Sequence, residues 1–165
     1  MSVGIVIIAG VWKITMNGEK LIELLRGEFF DLQQTMLEDY AGYVQINEEF
    51  LNDLIFELND AELFQHVLEH YCSGVTVTED FLREVSDSFR DEDLVVLTMK
   101  KLYSGRNVSE AFLSDMLFDY NDGRFLRYLL ENHYKGQKVS TGFIHEVVNT
   151  FESKPLTEFV IRNYY

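Results

Sequence analysis

The stretch Val77-Thr78-Glu79-Asp80-Phe81-Leu82 decides the fold, because its pattern of residue types returns every 31 residues along the chain. The matching segments are Ile46-Asn47-Glu48-Glu49-Phe50-Leu51, Val108-Ser109-Glu110-Ala111-Phe112-Leu113 and Val139-Ser140-Thr141-Gly142-Phe143-Ile144. Self-similarity at a fixed period of this length is the signature of a repeat protein. A fifth and more divergent repeat is expected to begin near Ile14-Thr15.

Each repeat is predicted to contain two α-helices. In the first helix the apolar residues form one stripe, as in Phe50, Leu51, Leu54, Ile55 and Leu58, whereas a strand would alternate. Candidate N-caps precede both helices: Asn47, Thr78, Ser109 and Ser140 for the first, and Asp60, Asp91, Asp122 and Ser153 for the second. A recurring glycine, at Gly74, Gly105 and Gly136, fits a left-handed C-terminal cap. Because such helix pairs stack on one another, we predict an all-α fold, a right-angled or curved α-solenoid of about five 31-residue helix-turn-helix repeats.

The whole chain, residues 1–165, is expected to form a single α-helical repeat domain. No proline-rich or Gly/Ser-rich linker interrupts it, and its one proline is Pro155. The predicted repeats lie at approximately 14–45, 46–76, 77–107, 108–138 and 139–165. The apolar run from Val3 to Ala9 lacks the basic start of a signal peptide and is too short to span a bilayer. We therefore expect it to form an apolar N-terminal cap, either strand or helix.

Composition excludes several classes of function. The 165 residues include 28 acidic and 14 basic side chains, for a formal net charge of −14, which argues against direct binding of nucleic acid or of an anionic membrane through a basic face. The single cysteine, Cys72, cannot form an internal disulfide. A reducing, cytoplasmic compartment is therefore expected.

The recurring hexamer resembles a known class of repeat. Val77-Thr78-Glu79-Asp80-Phe81-Leu82 and its counterparts are similar to the ITEEVV-type helical repeats, which are related to ankyrin repeats and occur in fungal NACHT-containing receptors that resemble innate-immune receptors. The resemblance covers roughly residues 14–165, although the ankyrin TPLHxA motif and a NACHT nucleotide-binding motif are both absent from the sequence. It implies a recognition or sensor array without catalytic chemistry.

One stretch matches a catalytic motif by spelling. His66-Val67-Leu68-Glu69-His70 has the H-x-x-E-H order of the inverted zinc peptidases, in which both histidines bind zinc and the glutamate is the general base. The repeat explains both histidines without a metal, because His66 shares its slot with Leu97, Tyr128 and Phe159, and His70 shares its slot with Lys101, Asn132 and Asn163. No nucleophile elbow, Walker motif or dinucleotide-binding motif occurs. We therefore expect no enzyme activity, no cofactor and no metal, and we expect Cys72 to be a packing residue.

The surface carries the remaining signal. Residues 46–76 hold seven acidic side chains and no Lys or Arg, which either keeps the chain soluble or steers it toward a basic protein partner. The slot six residues after the leading Phe of each first helix points away from the stripe and holds Phe56, Asp87, Phe118 and Asn149. These two phenylalanines either pack under a neighbouring repeat or the N-terminal segment, or they are exposed anchors of an interface.

From these features we predict a non-catalytic protein-interaction or sensor module. The predicted partner-binding residues are Glu48, Glu49, Asp53, Phe56, Glu57, Asp87 and Phe118. The alternative is an acidic inhibitor that blocks a DNA- or RNA-handling protein by mimicking phosphate charge, which suits the size and charge of the chain.

Overall fold

The computed structural model describes residues 5–8, 11–14 and 16–165, with side chains from residue 16 onward. Near the N-terminus, β1 (Ile5–Ile8) and β2 (Val11–Ile14) form an antiparallel pair in which Ile5 lies opposite Ile14. The predicted N-terminal cap segment is therefore strand over Ile5–Ile8, while Val3, Gly4 and Ala9 lie outside the described residues.

The rest of the described chain is helical, as the repeat pattern predicts. The helices are α1 (Gly18–Leu25), α2 (Phe30–Tyr40), α3 (Glu48–Leu58), α4 (Ala61–His70), α5 (Glu79–Phe89), α6 (Glu92–Leu102), α7 (Glu110–Tyr120), α8 (Gly123–His133), α9 (Thr141–Phe151) and α10 (Lys154–Tyr164), and one 3₁₀ turn (Ala41–Tyr43) follows α2. From α3 onward, successive first helices begin 31 residues apart, and so do successive second helices. Within the described residues, none of these helices has both the length and the hydropathy needed to cross a membrane.

The N-caps of the first helices are confirmed. Asn47, Thr78, Ser109 and Ser140 each accept a hydrogen bond through the side-chain oxygen from a backbone N–H three residues later. The donor is a phenylalanine every time, namely Phe50, Phe81, Phe112 and Phe143, and all four rings are buried. The cap therefore starts the helix and, in the same turn, directs its largest apolar side chain into the core.

Among the second helices, all four predicted N-cap positions are confirmed, and three of the four side chains make a capping bond. Asp60, Asp91 and Asp122 accept hydrogen bonds from first-turn N–H groups. Ser153 also occupies the predicted N-cap position, of α10, but its side chain makes no capping bond. The aspartates bind N–H groups two or three positions later, and Pro155 removes the first of these donors for Ser153, because it stands two positions later and has no N–H.

The turns use two left-handed positions in each repeat. Gly74, Gly105 and Gly136 have φ values of 78°, 73° and 72°, which confirms the predicted left-handed glycine, although each lies in the turn after the second helix and not at its cap. No described atom lies within 4 Å of the place that a Cβ would take there, so the need for glycine comes from φ alone. The second position directly follows the first helix and is not glycine: Asn59, Arg90, Asn121 and Glu152 have φ values of 48°, 50°, 46° and 48°.

The chain divides into two compact units, Met1–Val77 and Thr78–Tyr165, and each has its own packing. In the first unit, α1 packs on α3 and α2 packs on α4. In the second unit, α5, α7 and α9 pack side by side, with α6 against α5, α8 against α7 and α10 against α9. That residues 1–165 form a single domain stays a prediction.

Paired hydrogen bonds connect successive first helices in the second unit. Glu79 at the start of α5 accepts from the backbone N–H of Ser109 at 2.8 Å and from its hydroxyl at 2.6 Å. Glu110 at the start of α7 does the same for Ser140, at 2.7 Å and 2.6 Å. Each N-cap serine therefore caps its own helix and donates to the carboxylate of the preceding repeat, so that neighbouring helices start at a common level.

Candidate protein-binding surface

In the first unit, the predicted binding residues on α3 lie on its outward side. Leu54 and Ile55 are buried, whereas the next residue, Phe56, is 69% exposed. A helix turns by about 100° per residue, so a side chain that directly follows a two-residue stretch of the stripe points away from the core. The structure therefore decides between the two alternatives for Phe56 in favour of exposure.

Carboxylates surround this ring on the same helix. Glu49, Asp53 and Glu57 are exposed, whereas Glu48 is only partly exposed. We call Glu49, Asp53, Phe56 and Glu57 the α3 face.

Two acidic side chains at α3 also have structural connections. Glu57 forms an ion pair with Arg26, which follows α1, and both side chains are about half exposed. Glu48 occupies the first position of α3, is only partly exposed and is itself engaged in an interaction. Glu49 and Asp53 are therefore the carboxylates of the α3 face with the most accessible charge.

In the second unit, the slot of Phe56 is occupied by Phe118 on α7, whose ring is 86% exposed. Asp87, in the same slot of the adjacent helix α5, is exposed, and so are Asp115 and Asp119 beside Phe118 on α7. We call Asp87, Asp115, Phe118 and Asp119 the α7 face.

The carboxylates of the α7 face repel one another. Partial desolvation and the nearby charge of Asp87 raise the pKa of Asp119, and the carboxylate of Asp115 adds to the effect. A hydrogen bond of 3.4 Å from the hydroxyl of Ser86 to Asp119 opposes this shift. The α7 face thus concentrates negative charge around an exposed aromatic ring, and a cationic partner would relieve the repulsion.

A basic side chain lies next to the α7 face, but it is bound into the scaffold. Arg83 on α5 donates to Asp115 at 2.7 Å and to Asp80 at 2.9 Å, and its guanidinium lies 5.4 Å from the centre of the Phe112 ring. These contacts hold α5 against α7. Asp87 and Asp119 form no ion pair with Arg83, and their two negative charges repel each other.

The histidine pair of the zinc-peptidase motif packs within the first unit. The ring centres of His66 and His70 lie 4.6 Å apart, and Nδ1 of His66 lies 3.3 Å from Nε2 of Gln34. Burial and the neighbouring His70 lower the pKa of His66. Among the described residues, no group of three His, Cys, Asp or Glu side chains is arranged to hold a metal ion.

Tertiary packing also creates a groove that sequence analysis missed. It has a volume of about 610 Å³ and lies in the second unit, between α8 and the turn that joins α9 to α10. Arg124, Arg127 and Tyr128 line one side, and Phe151 and Pro155 line the other. No motif marks it, because its walls come from two different repeats.

Comparison with known proteins identifies no relative, so the class of the protein is defined by its fold and its surface. No protein-family model matches the chain, and neither a curated protein nor a solved structure shows significant similarity to it. The described structure defines a protein of periodic helix pairs that presents exposed aromatic rings among carboxylates.

Proposed function

We propose that this chain is a non-catalytic protein-recognition module that binds a basic partner through its acidic, aromatic-bearing faces. The observation that carries the proposal is Phe118, a ring 86% exposed among the carboxylates of Asp87, Asp115 and Asp119. Large exposed aromatic side chains are favoured as binding anchors, because they bury much apolar area for little conformational entropy.

The chemistry of the faces specifies the partner. A Lys- or Arg-bearing surface would relieve the repulsion by Asp87 that, after partial desolvation, raises the pKa of Asp119, and an adjacent apolar group would cover the Phe118 ring. The charge accelerates the encounter and the ring provides most of the affinity, because exposed ion pairs contribute only about 0–1 kcal/mol each.

We further propose that the helix pairs form an α-solenoid of about five repeats that serves as a rigid scaffold for these faces. The 31-residue spacing of the helices supports this architecture. The resemblance to ITEEVV-type repeats supports a sensor or recognition array, and the single cysteine supports a cytoplasmic location.

Panning a displayed library of random peptides against the full chain would test the proposal. We expect enriched peptides to combine Lys or Arg with an aromatic or aliphatic residue, and we expect Phe118→Ser to weaken their binding about tenfold or more. Tyr43→Ser is the matched control, because Tyr43 is also an exposed ring but lies outside both faces. Enrichment of acidic peptides, or equal loss of binding in both variants, would refute the proposal.

The acidic-inhibitor alternative gives a different result in a competition experiment. A phosphate mimic should bind a DNA-handling protein with steep salt dependence, should be displaced by duplex DNA and should be insensitive to Phe118→Ser. A recognition module should lose binding in Phe118→Ser and should respond only moderately to salt.

A further inference from the structure

The final helix pair leaves exposed a side that is buried in the preceding repeats of its unit. Met99 of α6 and Leu130 of α8 are completely buried, whereas Ile161, in the same slot of α10, is 43% exposed. Ser86 of α5 and Leu117 of α7 are also buried, whereas Val148, in their slot of α9, is exposed. We call the exposed residues Val148 of α9 and Ile161 of α10 the α10 face.

Helix α2 is the second helix of the first repeat, and the slots that it exposes are those that α10 buries. Leu32 is 43% exposed and Met36 is partly exposed, although Leu63 and Val67, in the same slots of α4, are buried. The neighbouring slots of α2, Gln33 and Leu37, are buried instead. We call Phe29, Leu32 and Met36 the α2 face, since Phe29 directly precedes α2 and is also exposed.

The pattern in α10 is the reverse of that in α2. Leu156 and Val160, equivalent to the exposed Leu32 and Met36, are buried. Thr157 and Ile161, equivalent to the buried Gln33 and Leu37, are partly or clearly exposed. Within the first unit one second helix packs on the next, as α2 packs on α4. The α2 face and the α10 face are thus the two complementary halves of such a contact.

The charges of the two helices are also complementary. Helix α2 carries Asp31, Glu38 and Asp39 and no basic residue, for a charge of −3. Helix α10 carries Lys154 and Arg162 against Glu158, for a charge of +1. In a chain with a net charge of −14, attraction between these helices favours an α2-to-α10 contact over pairing of two α2 faces.

We propose that a second copy of this chain docks on the α10 face through its own α2 face, so that copies associate head to tail. The contact continues the packing between repeats and buries Leu32 and Met36 of one copy against Val148 and Ile161 of the other. Because the two faces differ, the contact is heterologous, and it extends into an open chain or closes into a ring.

Two variants separate this mode of association from others. Leu32→Glu disables the α2 face and Ile161→Glu disables the α10 face, and both positions are exposed enough to accept a charge without unfolding the chain. By sedimentation velocity from about 10 to about 500 µM, the mean mass of the wild type should rise with concentration. Each variant alone should remain monomeric. An equimolar mixture should form a 1:1 dimer and nothing larger, because each variant retains the face that the other lacks.

Ala111→Glu is the matched control, since it places the same charge on an exposed position of α7 outside all the named faces, in a slot that already holds Glu49 and Asp80 in other repeats, and it should associate as the wild type does. Far-ultraviolet circular dichroism should show equal helix content in all four proteins. A wild type that is monomeric throughout the range would overturn the proposal, and so would a mixture that stays monomeric or a dimer that persists in either single variant.

Discussion

At the scale of single residues, the position that follows each first helix from α3 onward has a left-handed backbone, but its side chains differ in how readily they adopt that conformation. Asparagine occupies it twice, at Asn59 and Asn121, whereas Arg90 and Glu152 adopt the same φ without the local hydrogen bonding that favours asparagine there. The conformation recurs in every repeat from α3 onward because the turn into the second helix requires it. Arginine and glutamate are therefore held there by the rest of the repeat.

Glu152→Asn should raise the free energy of unfolding by about 0.5–1 kcal/mol, because asparagine adopts the left-handed conformation at lower cost. Urea denaturation monitored by circular dichroism would measure the change. Glu152→Gln removes the same charge but keeps the longer side chain, so it should show little gain. Equal gains in both variants would attribute the effect to charge.

Phe56→Ser should leave thermal stability nearly unchanged and weaken binding of a basic partner, because the ring is 69% exposed. Phe50→Ala, on the same helix but buried, should lower the free energy of unfolding by about 3–5 kcal/mol. Thermal melts of both variants measure the contrast. A large loss of stability in Phe56→Ser would place this ring in the core.

At the scale of elements, each helix depends on a few hydrogen bonds at its start. Ser140 caps α9 and also donates to Glu110 of α7, so one side chain stabilises a helix and its junction with the preceding repeat. Ser153 stands at the equivalent place before α10 but makes no capping bond.

Ser140→Ala should therefore lower the free energy of unfolding by about 1–2 kcal/mol, whereas Ser153→Ala should change it by less than about 0.5 kcal/mol. Chemical denaturation of the two variants side by side measures the difference. Equal losses would mean that the hydroxyl of Ser153 contributes in solution as much as a capping hydroxyl does.

The C-terminal end of α8 contains a buried histidine that makes stability depend on pH. Burial lowers the pKa of His133, and nearby Lys135 adds to the shift, while the contact of 3.1 Å between Nδ1 and the carbonyl oxygen of Arg106 opposes it. As the pH falls below the ordinary value of 6.5, the unfolded chain takes up a proton before the folded chain does. The contribution of His133 to stability is therefore present above this pH and is lost as the pH falls toward the lowered pKa.

His133→Leu should reduce the difference in stability between pH 7.5 and pH 5.5, since Leu102 occupies the same slot in α6 and is also buried. Urea midpoints at the two pH values, compared with those of the wild type, give the measurement. His145→Leu is the control, because it replaces an exposed histidine of the same unit by the same residue. An unchanged difference in His133→Leu would assign the pH dependence to other groups.

At the scale of the whole molecule, 28 acidic side chains against 14 basic ones create net repulsion in the folded state. Raising sodium chloride from about 0.02 to about 0.3 M should therefore raise the midpoint of thermal unfolding by a few degrees, because the ions screen this repulsion. Differential scanning calorimetry at low protein concentration separates the effect from association. A midpoint that falls with salt would show that the attractive pairs, such as Arg83 with Asp115, outweigh the repulsion.

Local chemistry in the sequence was sufficient to predict the helix pairs, their 31-residue spacing and the eight N-cap positions from α3 onward, because a cap and a stripe depend on neighbours a few positions away. It did not show that Ser153 makes no capping bond, although Pro155 leaves that first turn with one N–H donor fewer than its counterparts. Exposure was decided only by tertiary structure. Leu130 and Ile161 occupy the same slot of the repeat, yet one is buried and the other exposed, because burial depends on whether another helix covers that slot. For the same reason the sequence left Phe56 and Phe118 between core and surface, and only the packed helices place both rings in solvent.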